Sequence, residues 1–378
     1  MFVIMRTLVC ISILFMVMAC GRHEDPINRI DIERYIHEGD IGTQDMSSYF
    51  DAEVFKIEDR DDCLIAAMHL KDVIGDTLVF KINGHKLCYI NAVDGSILHV
   101  FNRYGRGPQE YLDMTGVSLD KKGNNVYVVD YKKGKILCYD KMGDFVEEVG
   151  FEGISAKDVS DLKCLDDGSF ALCFSPQRKG HSAVGIYSAG RRKMRDSKML
   201  KSSFKTYMTH INQFHNLSGI CVFKDNFSDT LSYISSECDH PFMIVDRGKL
   251  RMPDEYYSNR KLYNDNEYLF IQSYNYIIAD ELLFLEFFYK DKLYRDVYEI
   301  KSGRLISRTL ITQESDGFGF PVKIGDQLVN CWPKFVARNE IYCTIPADQV
   351  ARIYKQSDDF GNPVLIKLTR KDIRPKHY

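Results

Sequence analysis

The 378-residue chain carries 50 Lys and Arg against 53 Asp and Glu, a formal net charge of −3. That near balance excludes a partner selected by bulk charge, so neither nucleic acid nor an anionic surface is expected as one. Gly 25 and Pro 10 are too few for a disordered chain, and Tyr and Phe, 23 each, suit a sheet-rich one.

The N-terminus reads as an address. Arg6 precedes an apolar run, residues 8–19, that ends Val17-Met18-Ala19-Cys20. A charged start, a short apolar core and a small residue before the cut predict a signal peptide over residues 1–19. The run is too short for a membrane-spanning helix. Cys20 directly after Ala19 resembles a bacterial lipobox, with Met18 departing from the usual residue. The resemblance implies cleavage before Cys20, lipid on its thiol and the membrane as a partner; an ordinary secretory signal is the alternative. Two or more acyl chains give lasting anchorage. Residues 20–48 are polar and read as a tether with a helical turn at 32–36. Residues 49–378 read as the folded body.

That body is a succession of short apolar runs between Gly, Asn and Asp turns. Residues 52–57 form a strand, followed by the acidic turn Glu58-Asp59-Arg60-Asp61-Asp62. Further strands are expected at 63–67, 77–82, 87–90 and 97–101. The next stretch, 100–151, is the clearest. Four apolar runs, 116–119, 126–129, 136–139 and 145–149, are separated by Lys-Lys-Gly-Asn-Asn, Lys-Lys-Gly and Lys-Met-Gly-Asp, which predicts a four-stranded antiparallel meander. Such a sheet has two apolar faces and needs copies of itself on either side. Leu87-Cys88-Tyr89 before Asp94-Gly95 matches Leu137-Cys138-Tyr139 before Met142-Gly143, and Gly185-Ile186-Tyr187 before Gly190 is a third copy. Looser copies end at Gly248 and Gly303. The spacing is about 50 residues, close to the period of a β-propeller blade.

Later strands are expected at 159–165, 169–174, 183–187 and 194–200, then at 218–223, 230–234 and 242–245. Residues 249–266 read as a loop or short helix. Strands at 269–278, 282–289, 296–300 and 305–310 follow, then 320–324, 328–331, 341–345 and 364–368, with one or two helical turns at 347–354. The strands 52–57 and 364–368 each lack a neighbour, and pairing them would close the ring and remove both edges. The expected fold is all-β: a six-bladed β-propeller with four-stranded antiparallel blades, closed by pairing of N- and C-terminal strands.

Most cysteines lie inside apolar strand runs and read as small core hydrophobes, leaving room for one incidental disulfide. Residues 191–205 are dense in Lys and Arg against the single acid Asp196, a pattern that blocks edge pairing on an outer strand. A phosphate or sulfated-glycan contact is the other reading of that run.

Gly105-Arg106-Gly107-Pro108-Gln109-Glu110-Tyr111 is similar to the GRGPGEY loop of bacterial six-bladed, NHL-like β-propeller lipoproteins, with Gln109 in place of the last Gly. The strands of 50–65 and Phe227-Ser228-Asp229-Thr230-Leu231 resemble the same family. The resemblance implies a propeller lipoprotein on a Gram-negative envelope, on the outer membrane with a periplasmic or surface face. It transfers fold far better than function.

No sialidase box, Trp-Asp blade signature, GxSxG, HExxH, P-loop, EF-hand, CxxC or zinc spacing occurs, so no catalytic residue, metal or cofactor is expected. The GRGPQEY loop remains as the candidate ligand site. Pro108 and the two glycines make it rigid and sharply turned, with Arg103, Arg106, Glu110 and Tyr111 as candidate contacts for an anionic or sugar ligand. The alternative is that Arg106 and Glu110 tie adjacent blades together. The expected function is a binding module for a protein or glycan ligand. The opposing expectation is an envelope lyase, lactonase or hydrolase with inward acidic residues in the central channel.

Overall fold

Short apolar strands alternating with tight turns build six antiparallel sheets in the computed structural model of the chain. The structure describes residues 27–39, 41–174, 183–188, 190, 194–196, 213–217, 220–225, 227–237, 239–312, 318–346, 349–350 and 361–371. The signal peptide, Cys20, and most of the basic run 191–205 and of the stretch 347–354 lie outside the described residues.

Strand β1 (Asn28–Asp31) and helix α1 (Ile32–Glu38) come first, then β2 (Phe50–Lys56). Blade one is β3 (Met68–Ile74), β4 (Thr77–Ile82), β5 (Lys86–Asn91) and β6 (Ile97–Phe101). Blade two is β7 (Gly116–Leu119), β8 (Asn125–Asp130), β9 (Lys135–Asp140) and β10 (Phe145–Glu148). Blade three is β11 (Val159–Cys164), β12 (Phe170–Phe174), β13 (Val184–Tyr187) and β14 (Met194–Asp196). Blade four is β15 (Gln213–Leu217), β16 (Ile220–Lys224), β17 (Thr230–Ile234) and β18 (Asp239–Asp246). Two short helices, α2 (Asp254–Ser258) and α3 (Arg260–Asn266), precede blade five, which is β19 (Tyr274–Ala279), β20 (Leu282–Tyr289), β21 (Lys292–Glu299) and β22 (Arg304–Ile311). Blade six is β23 (Phe320–Ile324), β24 (Gln327–Ala337), β25 (Glu340–Thr344) and β26 (Val364–Arg370). Within each blade the strands pair in chain order.

Blade two shows how sequence makes a blade. Val128 of β8 lies between Val117 of β7 and Leu137 of β9, so apolar side chains stack across the sheet. The Asp140 carboxylate accepts the N–H groups of Met142 and Asp144, both at 2.9 Å, which folds the β9–β10 turn. Gly143 completes that turn at φ 96°, and a Cβ there would lie 2.9 Å from the Phe101 ring of blade one. The glycine thus permits both the turn and the approach of the neighbouring blade.

Because both faces of each sheet are apolar, the core is not one mass but six layers between blades. Phe101, Tyr111, Val117, Leu137 and Tyr139 fill the layer between blades one and two. Val129, Phe151, Leu162 and Phe170 fill the next, and Ala171, Val184, Cys221 and Phe223 the one after. Further layers join blades four and five and blades five and six. The last layer joins blade six to blade one, through Phe55, Phe335, Tyr342 and Leu365 against Phe80, Cys88 and Ile90. Each such side chain contributes roughly 1.5–3 kcal/mol on burial.

The ring closes as the two orphan strands predict. β2 pairs antiparallel with β26, Ala52 opposite Leu368, Val54 opposite Ile366 and Lys56 opposite Val364. A buried side chain latches the closure. Asn362 accepts the Ile65 N–H at 2.8 Å and donates to the Glu58 carbonyl at 2.7 Å and the Cys63 carbonyl at 2.8 Å. Its own N–H donates to Asp59 Oδ1 at 2.6 Å.

Five expectations change. Residues 63–67 are not a strand; the first strand of blade one is β3, whose His69, Lys71 and Asp72 interrupt the apolar pattern because it is the innermost strand. Blade four gains β15, read from sequence as no strand, and the copy ending at Gly248 belongs to its fourth strand instead of its third. Residues 269–273 precede β19 and do not extend it. In blade six β24 is long: residues 327–331 pair with β23, and the segment after a bulge at Pro333 pairs with β25. Within the stretch read as a tether, β1 runs parallel beside β18 and α1 follows, capped by Asp31, whose Oδ1 accepts the Arg34 N–H at 2.9 Å. Among the described residues, the docked chain therefore begins at Asn28.

Candidate functional site

The innermost strands bring charge to the axis. Lys71 of β3 acts electrostatically on His69 and Lys81 of its own blade, on Asp161 of blade three and on His215 of blade four. Only a side chain at the axis faces blades that far around the ring. Lys334 of blade six acts on His69 in the same way. His69 lies opposite Lys81 in the β3–β4 ladder, so both sit at one end of blade one, and the Lys81 ammonium donates to the Met114 carbonyl just before β7. His69 and Lys334 are exposed, and Lys71, Lys81 and Asp113 are half-buried, which makes a mouth open to solvent.

Deeper in, the groups are held tightly. Asp161 is 7% exposed and accepts the Leu162 N–H at 2.9 Å and the Phe214 N–H of blade four at 3.2 Å. Burial raises its pKa against the opposing pull of Lys71 and those two amides. Gly116 of β7 makes room for it, since a Cβ there would lie 2.6 Å from Asp161 Oδ1. His215 lies against Tyr276 of blade five with ring centroids 4.8 Å apart. Burial, then Lys224 and Lys71, push its pKa down to about 4, so it is neutral at pH 7. Lys163 of blade three pairs with Asp72 of blade one at 2.8 Å, bridging blade two. Burial, then Lys71, lower the pKa of Lys81 against Asp113 and Asp161, and burial, then Lys334, Lys71 and Lys81, lower that of His69. Crowding of cations is thus a feature of the mouth: Lys71, Lys81 and Lys334 with His69, against Asp113 and Asp161.

A second charged group sits between blades four and five. The Lys224 ammonium lies 4.0 Å from the centroid of the Tyr274 ring and donates to the Tyr274 carbonyl. Burial first, then Arg247, lower its pKa to about 7. Arg247 donates to Asp229 at 2.6 Å and to the carbonyls of Ile271 and Gln272 at 3.0 and 2.7 Å. These contacts tie the α2–α3 connector to the propeller.

The GRGPQEY loop connects β6 to β7 and descends to the mouth at Asp113 and Met114. Three of its four candidate residues serve the loop itself. Tyr111 is fully buried; its hydroxyl donates to the His85 carbonyl at 2.7 Å and accepts the Arg103 N–H at 3.1 Å. Arg103 donates to the Gly143 carbonyl at 2.5 Å and to Asp144 Oδ1 at 2.8 Å, clamping blade one to blade two. Glu110 accepts the Gly107 N–H at 2.7 Å, closing the loop on itself. Lys133 of blade two donates to the carbonyls of Gly107 and Glu110 at 2.8 and 2.6 Å. Arg106 is exposed and makes no hydrogen bond or ion pair with any described residue. The blade-crossing clamp is therefore made by Arg103 and Lys133, with Arg106 left to solvent.

The axial residues carried no motif. Their signal was the break in apolar alternation at His69-Leu70-Lys71-Asp72 and the polar run Gln213-Phe214-His215-Asn216. Among the described residues, no three His, Cys, Asp or Glu side chains group so as to hold a metal ion.

Six blades closed by β2 on β26 define a six-bladed β-propeller. Over residues 27–372 the sequence matches the family described as Domain of unknown function (DUF4934), and the chain belongs to that family. The fold is similar to that of a Bacteroides fragilis protein provisionally described as exported, at 14% identity over 91% of this chain and 99% of that one, with a TM-score of 0.69. It is also similar to a DUF4221 family member from Bacteroides vulgatus, at 10% identity over 86% of this chain and 99% of that one, with a TM-score of 0.55. Identities this low establish likeness of fold alone. No curated protein matches the chain.

Proposed function

We propose that this protein is an exported, lipid-anchored binding module that takes an anionic group of a protein or glycan ligand at the basic mouth of its axis. The observation that carries the reading is the convergence of Lys71, Lys81, Lys334 and His69 at one solvent-open end of the ring. Three lysines against Asp113 and Asp161 favour capture of an anion over the acidic channel an envelope lyase, lactonase or hydrolase would use. Cations crowded together lower one another's charge affinity, and an anion relieves that repulsion. Arg106, on the connector that leads to the same mouth, adds a free guanidinium at the periphery for a ligand larger than one group.

Export is supported by the apolar N-terminal run and by the description of the similar Bacteroides fragilis protein. Cys20 is the lipid attachment point, ahead of a body whose described residues dock from Asn28. The NHL-like lipoprotein resemblance of the GRGPQEY loop fits the same reading.

Binding is tested with polygalacturonate and poly-glutamate as anionic probes and a neutral polysaccharide as control. A Lys71→Ala, Lys334→Ala double variant should bind the preferred polyanion roughly tenfold to a hundredfold more weakly, the loss expected for one charge-assisted contact. Equal affinity of variant and wild type for the polyanion would refute the axial site. Anchoring is tested separately: Cys20→Ser should move the protein from the membrane to the soluble fraction, and unchanged retention would refute lipidation.

A further inference from the structure

We infer that Cys63 and Cys88 are a disulfide-forming pair that staples the ring-closure latch. Their sulfurs lie 3.7 Å apart, in van der Waals contact, and both side chains are 1% exposed or less. Cys63 sits in the connector between β2 and β3, outside any strand, whereas Cys88 is in the middle of β5. The connector is the piece that the latch holds: the Cys63 carbonyl accepts from Asn362 Nδ2, and the Cys63 N–H donates to the Arg60 carbonyl at 3.0 Å. A bond between the two sulfurs would join the connector that follows β2 to the third strand of blade one. The link is covalent where the closure otherwise rests on hydrogen bonds and packing.

The chemistry needs a disulfide oxidant, such as oxidised glutathione or a dithiol–disulfide oxidoreductase. One cysteine thiolate attacks a sulfur of the oxidant, expelling one thiol and leaving a mixed disulfide. The second thiolate displaces the other thiol, and the two protons given up by the cysteines are taken up by the two departing sulfurs. Cys63 is the entry point, because its neighbours Asp61, Asp62 and Leu64 are exposed and the connector opens locally more easily than a central strand. Burial, then the neighbouring Cys63, raises the Cys88 pKa, so its thiolate is scarce in the closed state. Oxidation therefore proceeds during folding or in brief openings of the connector. Cys331 and Cys343, on β24 and β25, are a second buried pair whose thiols interact and so offer an internal competitor.

The experiment refolds the full chain in an oxidising glutathione buffer, blocks remaining thiols by alkylation and maps unreduced peptides by mass spectrometry. The expected result is a peptide linking Cys63 to Cys88, with the melting temperature raised by roughly 5 °C over the reduced protein, as a loop of this size predicts. A Cys63→Ser variant should show no such rise. Alkylation of both Cys63 and Cys88 after oxidation, or a link that joins either to another cysteine, would overturn the inference. The assay needs neither export nor lipid, so its outcome is independent of the reading given above.

Discussion

Replacing Asn362 with Ala removes the latch without touching a strand. Three side-chain hydrogen bonds disappear, to Ile65, Glu58 and Cys63, and all three partners belong to the connector some three hundred residues away in sequence. A net contribution of about 1 kcal/mol per bond gives about 3 kcal/mol, with a further cost for buried backbone groups left unsatisfied. For a ring of this size that is a fall in Tm of roughly 3–6 °C. Because β2 and β26 share one sheet, loosening the latch loosens blades one and six together. Calorimetry of the Asn362→Ala protein should show one transition, shifted down. A Tm within about 1 °C of wild type would refute the latch, and a separate early transition would refute the coupling of the terminal blades.

Asp296 and Arg308 form a buried pair, 0% and 3% exposed, with two bonds of 2.8 and 2.6 Å, and Arg308 also donates to the Tyr35 carbonyl of α1 at 2.8 Å. Asp296→Ala leaves an uncompensated guanidinium and should cost about 3–5 kcal/mol, read as a lower urea midpoint. His215 has its folded pKa depressed from 6.5 to about 4, so the unfolded chain takes up its proton first as pH falls. Its contribution is present above about pH 6.5 and is lost as pH drops toward 4; between about pH 7 and pH 5 the loss is about 2 kcal/mol. Denaturant titrations at the two pH values should show this loss in wild type and less of it in His215→Gln.

How far the fold could be read depended on where each strand sits. Strands β7, β8 and β9 of blade two are mostly buried apolar residues between Gly or Asp turns, so the repeat is plain there. Two innermost strands, β3 and β15, are harder to read. β3 carries His69, Lys71 and Asp72, and β15 carries His215, because one side of an innermost strand faces the axis and not a neighbouring sheet. Residues 63–67 looked like a strand because Cys63 and Ile65 are buried, but they are buried as a connector under the latch. The GRGPQEY loop drew attention for its rigidity, and the rigidity serves the blade-one to blade-two clamp through Arg103 and Lys133. The axial cations are single residues on different blades, and only the closed ring brings them together.

Where an anionic ligand sits on the ring decides whether the axial mouth is the binding site. Lysine acylation of the full chain, mapped by mass spectrometry with and without saturating polygalacturonate or poly-glutamate, measures that directly. An axial site predicts protection of Lys71, Lys81 and Lys334 by the polyanion that binds, with Lys121 and Lys141 on outlying turns modified as before. Bound polyanion with Lys71, Lys81 and Lys334 labelled as in its absence would contradict it.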